Sequence, residues 1–228
     1  MTNDVTKFFG SQKLPDKEKL SQALSGYSAA ANALVGGKAL LRLMKNGEWV
    51  MGQNNEKVRE GTRLIANPAS LSTGYVAWFQ GKPEREVMQP IQKWQDNPID
   101  FNSLPEVNSG TVPPGSKDGK PSGRGWEPQS SIDFMTQAKI PVAVQYKTTS
   151  KGGMQALAAL AGEIFCAIEA NPHYAYPVLE LTTSGYQHPN REYGYIYTPA
   201  FVIVGWLDEN GEPAKEFEKL TTGKDSML

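Results

Sequence analysis

The 228-residue chain has one cysteine and two histidines. Cys166 alone cannot close an internal disulfide, and two histidines cannot build a His-rich metal site. No 18-residue apolar run occurs, so no membrane span is expected. The first twenty residues mix Asp4, Lys7, Lys13, Asp16 and Glu18 and lack the apolar stretch of a secretory signal. A cytoplasmic address follows as the expectation. Charge of one sign is missing too. Lys plus Arg is 23 and Asp plus Glu is 24, a formal net charge of −1. That balance excludes a globally basic nucleic-acid coat and an acidic disordered chain.

Glycine and proline are plentiful, at 22 and 16 residues. Their combined share exceeds the average of about 12 % and predicts many turns. Six of the prolines lie between Trp94 and Ser131, where apolar periodicity fades. This stretch is expected to be a long mobile insertion. Residues 1–37 read as a polar arm and an Ala/Leu-rich helix over Ser21–Val35. Residues 38–207 read as one domain, and 208–228 as a polar tail.

Within the domain, Ala39–Met44 is ambiguous between strand and short helix. Asn46-Gly47 is a hairpin turn dipeptide leading into a strand at Glu48–Met51. Further strands are expected at Thr62–Ala66, Gly74–Gln80, Glu86–Ile91, Ile132–Thr136 and Pro141–Thr148. A helix follows from Lys151. Its stripe of Met154, Leu157, Ala161, Ile164, Phe165 and Ile168 has the spacing of a buried face, and Cys166 reads as a small core residue. Asn171-Pro172 ends it. Tyr176–Thr183 and Tyr195–Leu207 form the last strands. The order predicts a β-rich α+β fold, an OB-like five-stranded barrel with one amphipathic helix before the last strands.

Catalysis finds little support. Gly-x-Ser-x-Gly does not occur, and Cys166 with His173 or His188 is a weak pairing. Gly115–Gly119 followed by Lys120-Pro121 misses phosphate-loop spacing. His173 and His188, with Glu180 and Glu192 near one of them, match no metal-ligand pattern. The reading is a non-enzyme without cofactor or metal. Ser150-Lys151-Gly152-Gly153 is better placed, because free N–H groups at a helix start attract anions, although a plain strand-to-helix turn fits as well.

Tyrosine is the strongest local signal. Six of the nine tyrosines lie between Tyr174 and Tyr197. Tyr193, Tyr195 and Tyr197 alternate, so a strand would place them on one face. Bases of a single strand stack on such rings, at about 1–3 kcal/mol each. The same alternation also builds the half-exposed flank of ordinary sheets.

The stretch from Tyr186 to Trp206, together with Gly61–Pro68 and Thr148–Gly153, resembles small phage and prophage proteins, which look like single-stranded DNA-binding proteins of the OB class. The likeness spans half the chain and leaves the Trp94–Ser131 insertion unmatched. It implies sequence-independent binding of single-stranded DNA in phage replication or recombination, with replication or recombination proteins as partners. The expected base-stacking residues are Trp78, Tyr146, Tyr193, Tyr195 and Tyr197. The expected phosphate contacts are Arg63, Lys147, Lys151 and Arg191. A protein-interaction module using the tyrosine surface to bind a host protein is the alternative, and a metal-dependent nuclease is the second.

Overall fold

The computed structural model describes residues 37–59, 61–79, 82–107, 125–139 and 141–214. The expected helix at Ser21–Val35, the middle of the insertion and the tail beyond 214 lie outside these residues. The described residues form nine strands and two α-helices. The strands are β1 (Ala39–Leu43), β2 (Trp49–Met51), β3 (Glu56–Lys57), β4 (Arg63–Phe79), β5 (Lys82–Pro90), β6 (Trp126–Thr136), β7 (Ala143–Thr148), β8 (Tyr176–Gln187) and β9 (Tyr195–Leu207). The helices are α1 (Ile91–Asp96) and α2 (Lys151–Ala170). All nine strands join one curled mixed sheet in the order β3-β2-β1-β7-β6-β4-β8-β9, with β5 also on β4. The β-rich, barrel-like character expected from the sequence is present, with nine strands rather than five.

The two strands expected on either side of Asn67-Pro68 are a single 17-residue strand, β4. Proline cannot donate to a ladder and survives in a sheet interior only at an irregularity. Here the register with β6 slips between Asn67 and Ser72, so Pro68 sits in the bulge. Local side chains satisfy the disturbed backbone. Asn67 Oδ1 accepts from the Ala69 N–H at 3.1 Å, and Ser70 Oγ accepts from the Asp133 N–H at 2.9 Å. Before the bulge β4 pairs with β6 and β8, and after it with β6 and β5.

Other parts of the reading also change. Ala39–Leu43 is strand, paired antiparallel with β2 and parallel with β7. The supposed insertion is ordered at both ends. Trp94 lies in α1, and Trp126–Ser131 belongs to β6. Leu104 packs with Ala77 and Trp126 in a satellite core, and Trp126 donates its indole N–H to the Pro105 carbonyl at 2.9 Å. The aromatic and apolar residues between the prolines give that segment something to bury, which proline content alone conceals.

The main core lies inside the curl. Leu41, Leu64, Ile132, Val144 and Leu179 are almost fully buried, and Trp49, Phe134, Tyr146 and Phe201 form a packed ring cluster. Helix α2 closes one side with Leu157, Leu160 and Ile164, each worth about 1.5–3 kcal/mol of burial. Ser150 caps it by accepting from the Gly153 N–H at 3.0 Å. Asn171 ends it, as its sequence position predicts. The expected stripe is corrected at two positions. Phe165 is 65 % exposed and Cys166 is exposed, because the core-facing line runs through Gly153, Leu157, Leu160 and Ile164. By length and composition α2 could cross a membrane, although its inner face belongs to this core.

Trp49 ties the ends of the curl together. Its indole N–H donates to the Thr182 carbonyl on β8 at 3.0 Å, joining segments 133 residues apart. Trp49→Phe keeps an aromatic ring but removes this donor and part of the buried ring volume. It should lower unfolding free energy by about 1–3 kcal/mol, measured by urea denaturation, with the unfolding slope unchanged.

Candidate nucleic-acid interface

Strands β8 and β9 pair from Tyr176↔Leu207 to Gln187↔Tyr195. Only the first part of β8 meets β4, through Arg63↔Glu180, Leu64↔Leu179 and Ile65↔Val178. The rest of the hairpin runs past the start of β4. Leu181 and Phe201 still pack on the core, and the exposed rings lie nearer the tip.

Tyr195 and Tyr197 lie on the same face of β9 as Phe201, so the row of rings that fills the core continues outward. Phe201 is buried, whereas Tyr197 is 41 % and Tyr195 49 % exposed. The Tyr195 and Tyr197 rings meet edge to face with centroids 4.9 Å apart. Each rests on a glycine. A Cβ at Gly47 would lie 2.6 Å from the Tyr197 ring, and one at Gly185 would lie 2.6 Å from the Tyr195 ring. Missing side chains thus make flat seats, and the free part of each ring faces solvent.

Tyr193 departs from the expectation. It lies in a 3₁₀ turn (Arg191–Tyr193), separated from β9 by Gly194 at φ +64°, and so does not share the Tyr195–Tyr197 face by alternation. It is 64 % exposed, and its ring meets His188 edge to face at 4.8 Å. Tyr186, 51 % exposed, lies 6.4 Å from His188. The tip is fastened by Asn190, which accepts from the Glu192 N–H through Oδ1 at 3.1 Å and donates its own N–H to His188 Nδ1 at 3.0 Å.

Tyr146 is corrected outright. It is 4 % exposed, within the core beside Trp49 and Phe201. Burial pushes its phenol above the usual range, partly opposed by a hydrogen bond with Thr148. A buried ring cannot receive a base. Trp78 is half-buried near the far end of β4, where it pairs with Pro83 of β5, away from the hairpin. The structure does not bring it to the tyrosines.

The four basic residues are also dispersed. Arg63 Nε contacts Glu180 Oε1 at 3.1 Å, and Lys147 Nζ contacts Glu86 Oε1 at 2.6 Å. Arg191 stands exposed at the hairpin tip beside Tyr193, without an ion pair among the described residues. Lys151 is the exposed first residue of α2. A Cβ on its neighbour Gly152 would lie 2.8 Å from Thr198 Cγ2, and Thr198 points to the opposite face of β9 from Tyr197. Lys151 therefore borders the back of the hairpin, and the Ser150 cap already occupies one N–H of the supposed anion nest.

The exposed rings thus fall into two clusters: Tyr195 and Tyr197 on one face of the hairpin, with Gly47 and Gly185 as seats, and Tyr186, His188 and Tyr193 apart from them, because Tyr186 pairs with Ile196 and so faces the other way. Tyr186 and His188 were visible in the sequence as members of a cluster. The glycine seats were not, because their role depends on which ring folds over them. Among the described residues no group of three or more His, Cys, Asp or Glu is placed to hold a metal. No family model matches the chain, and neither a curated protein nor a solved structure matches it.

Gly47→Ala should displace the Tyr197 ring and cost about 1 kcal/mol or more, because alanine must also adopt φ +83°. Ring-proton chemical shifts of Tyr197 and thermal unfolding check both effects.

Proposed function

We propose that the protein binds single-stranded DNA through the β8–β9 hairpin, without catalytic turnover. The observation that carries this reading is the exposed Tyr195–Tyr197 ring pair seated on Gly47 and Gly185, with a second exposed cluster of Tyr186, His188 and Tyr193 towards the tip of the same hairpin. Every base has a π-face, so such rings accept a strand with little regard to sequence. Arg191 supplies a cation at the tip for a phosphate.

An OB-type barrel is the finer fold reading. Strands β4, β6, β7, β8 and β9 have the right number, and α2 falls between the third and fourth of them. They are consecutive neighbours in the order β7-β6-β4-β8-β9. Closure of a five-stranded barrel would join β7 to β9. Here β1 occupies the outer edge of β7, and Trp49 of β2 reaches β8 instead. The likeness to phage single-strand binders gives the same reading, with replication or recombination as the setting.

A host-protein docking surface is the second reading. The carboxylates already contacting Arg63 and Lys147 favour it, since they leave few cations to attract phosphate. Tyrosine-rich patches also suit protein interfaces.

Fluorescence anisotropy with labelled oligo-dT separates the two. Strand binding should exceed duplex binding, and log K should fall with log salt by about 0.7 per phosphate contacted. Tyr195→Ala and Tyr197→Ala should each weaken it by about 1–3 kcal/mol, about 5-fold to 160-fold. Tyr146→Phe should leave affinity unchanged. No preference for single strands at low salt would reject the DNA reading. Capture of one stoichiometric host protein after nuclease treatment, lost in the same two variants, would favour the second.

A further inference from the structure

Helix α2 has a second face that the described residues leave exposed. Its inner line is buried. Its outer side carries Gln155, Ala158, Ala159, Gly162, Phe165 and Cys166, all exposed. Between Lys151 and Glu169 the only charged residue is Glu163. A solvated helix face is normally charged, and a helix apolar all round is normally covered all round.

The two end charges oppose their own helix. A helix N-terminus carries partial positive charge and a C-terminus partial negative charge. Here Lys151 opens α2 and Glu169 nearly closes it, while the first turn has no acid and the last turn no base. Within one chain both placements are unfavourable. They are eighteen residues apart, or five full turns, so they lie on one line of the surface about 27 Å apart. Gly162 lies between them on the outer side. A Cβ there would meet nothing within 4 Å, so no neighbour among the described residues requires glycine, which costs about 1 kcal/mol in a helix interior relative to alanine.

We propose that the outer face of α2 docks against α2 of a second copy, antiparallel, about a twofold axis near the level of Leu160. This pairing sets each Lys151 against the Glu169 of the other copy and opposes the two dipoles. Gly162 and the alanines allow close approach of the backbones, and Phe165 of each copy fills space beside Gln155 and Ala158 of the other. A net charge of −1 opposes association only weakly. One helix pair buries a modest area, so the dimer is concentration-dependent.

Sedimentation equilibrium of the full chain, after nuclease treatment, tests this. The mass should rise with concentration from 25.0 kDa towards twice that value. Lys151→Glu and Glu169→Lys should each weaken the dimer about tenfold, and the double exchange should restore it. Phe165→Glu should give a monomer. Circular dichroism checks that the variants fold, and the charge exchange stands without Phe165→Glu should that variant misfold. A 25.0 kDa monomer at all concentrations would overturn the proposal. So would a double exchange no better than the single changes, or a monomer that binds phosphatidylcholine vesicles through Phe165.

Discussion

The fold hangs on β4 holding a partner on each edge both before and after its bulge. One edge holds β6 on either side of the bulge, while the other changes partner from β8 at Arg63–Ile65 to β5 at Ser72–Phe79. That change requires one strand to serve two directions. The bulge at Asn67–Ser72 supplies the break in register, and Gly74 supplies a close approach, since a Cβ there would strike the Val87 backbone. Without that break, β4 would continue as a flat ladder and the curl enclosing Leu64, Ile132 and Leu179 would open. The projection of the β8–β9 hairpin follows from the same arrangement, because β8 leaves β4 after only three paired residues.

The rings show how one chemical choice serves two environments. Along β9, Phe201 completes the core while Tyr197 and Tyr195 continue its line into solvent. The hydroxyls make this tolerable, since each tyrosine buries an apolar body and keeps a polar tip wet. A small lateral shift in where the curl ends would turn core rings into surface rings.

This explains what could be learned from the sequence. The end of α2 at Asn171 and the span of β9 were both legible, because a stop dipeptide and a long β-branched, aromatic run give local signals. Tyr146 was misplaced because alternation says which residues share a face, never which face is inside. Residues 143–148 alternate perfectly and bury the Val144–Tyr146–Thr148 side. The α2 stripe failed for a related reason. The outer side is nearly as apolar as the inner, so periodicity could not separate Phe165 from Ile164. Pro68 misled in the opposite direction, as a local breaker overridden by pairing on both sides. The ion pairs of Arg63 and Lys147 join distant segments and leave no trace in spacing.

The parallel pairing of β1 with β7 has a consequence in time. Ala39 meets Val144, so about a hundred residues must be synthesised before β1 finds its partner. At about 5–20 residues per second that is a wait of several seconds or more. During it the β1–β2 hairpin carries Leu41 and Trp49 with neither covered and one backbone edge open to any passing strand. The fold is rich in such distant contacts, and loop-closure entropy must be met before they give a return. The chain is therefore a slow folder, and its most vulnerable moment comes early, on the ribosome, with the seal of its core made and nothing yet to seal.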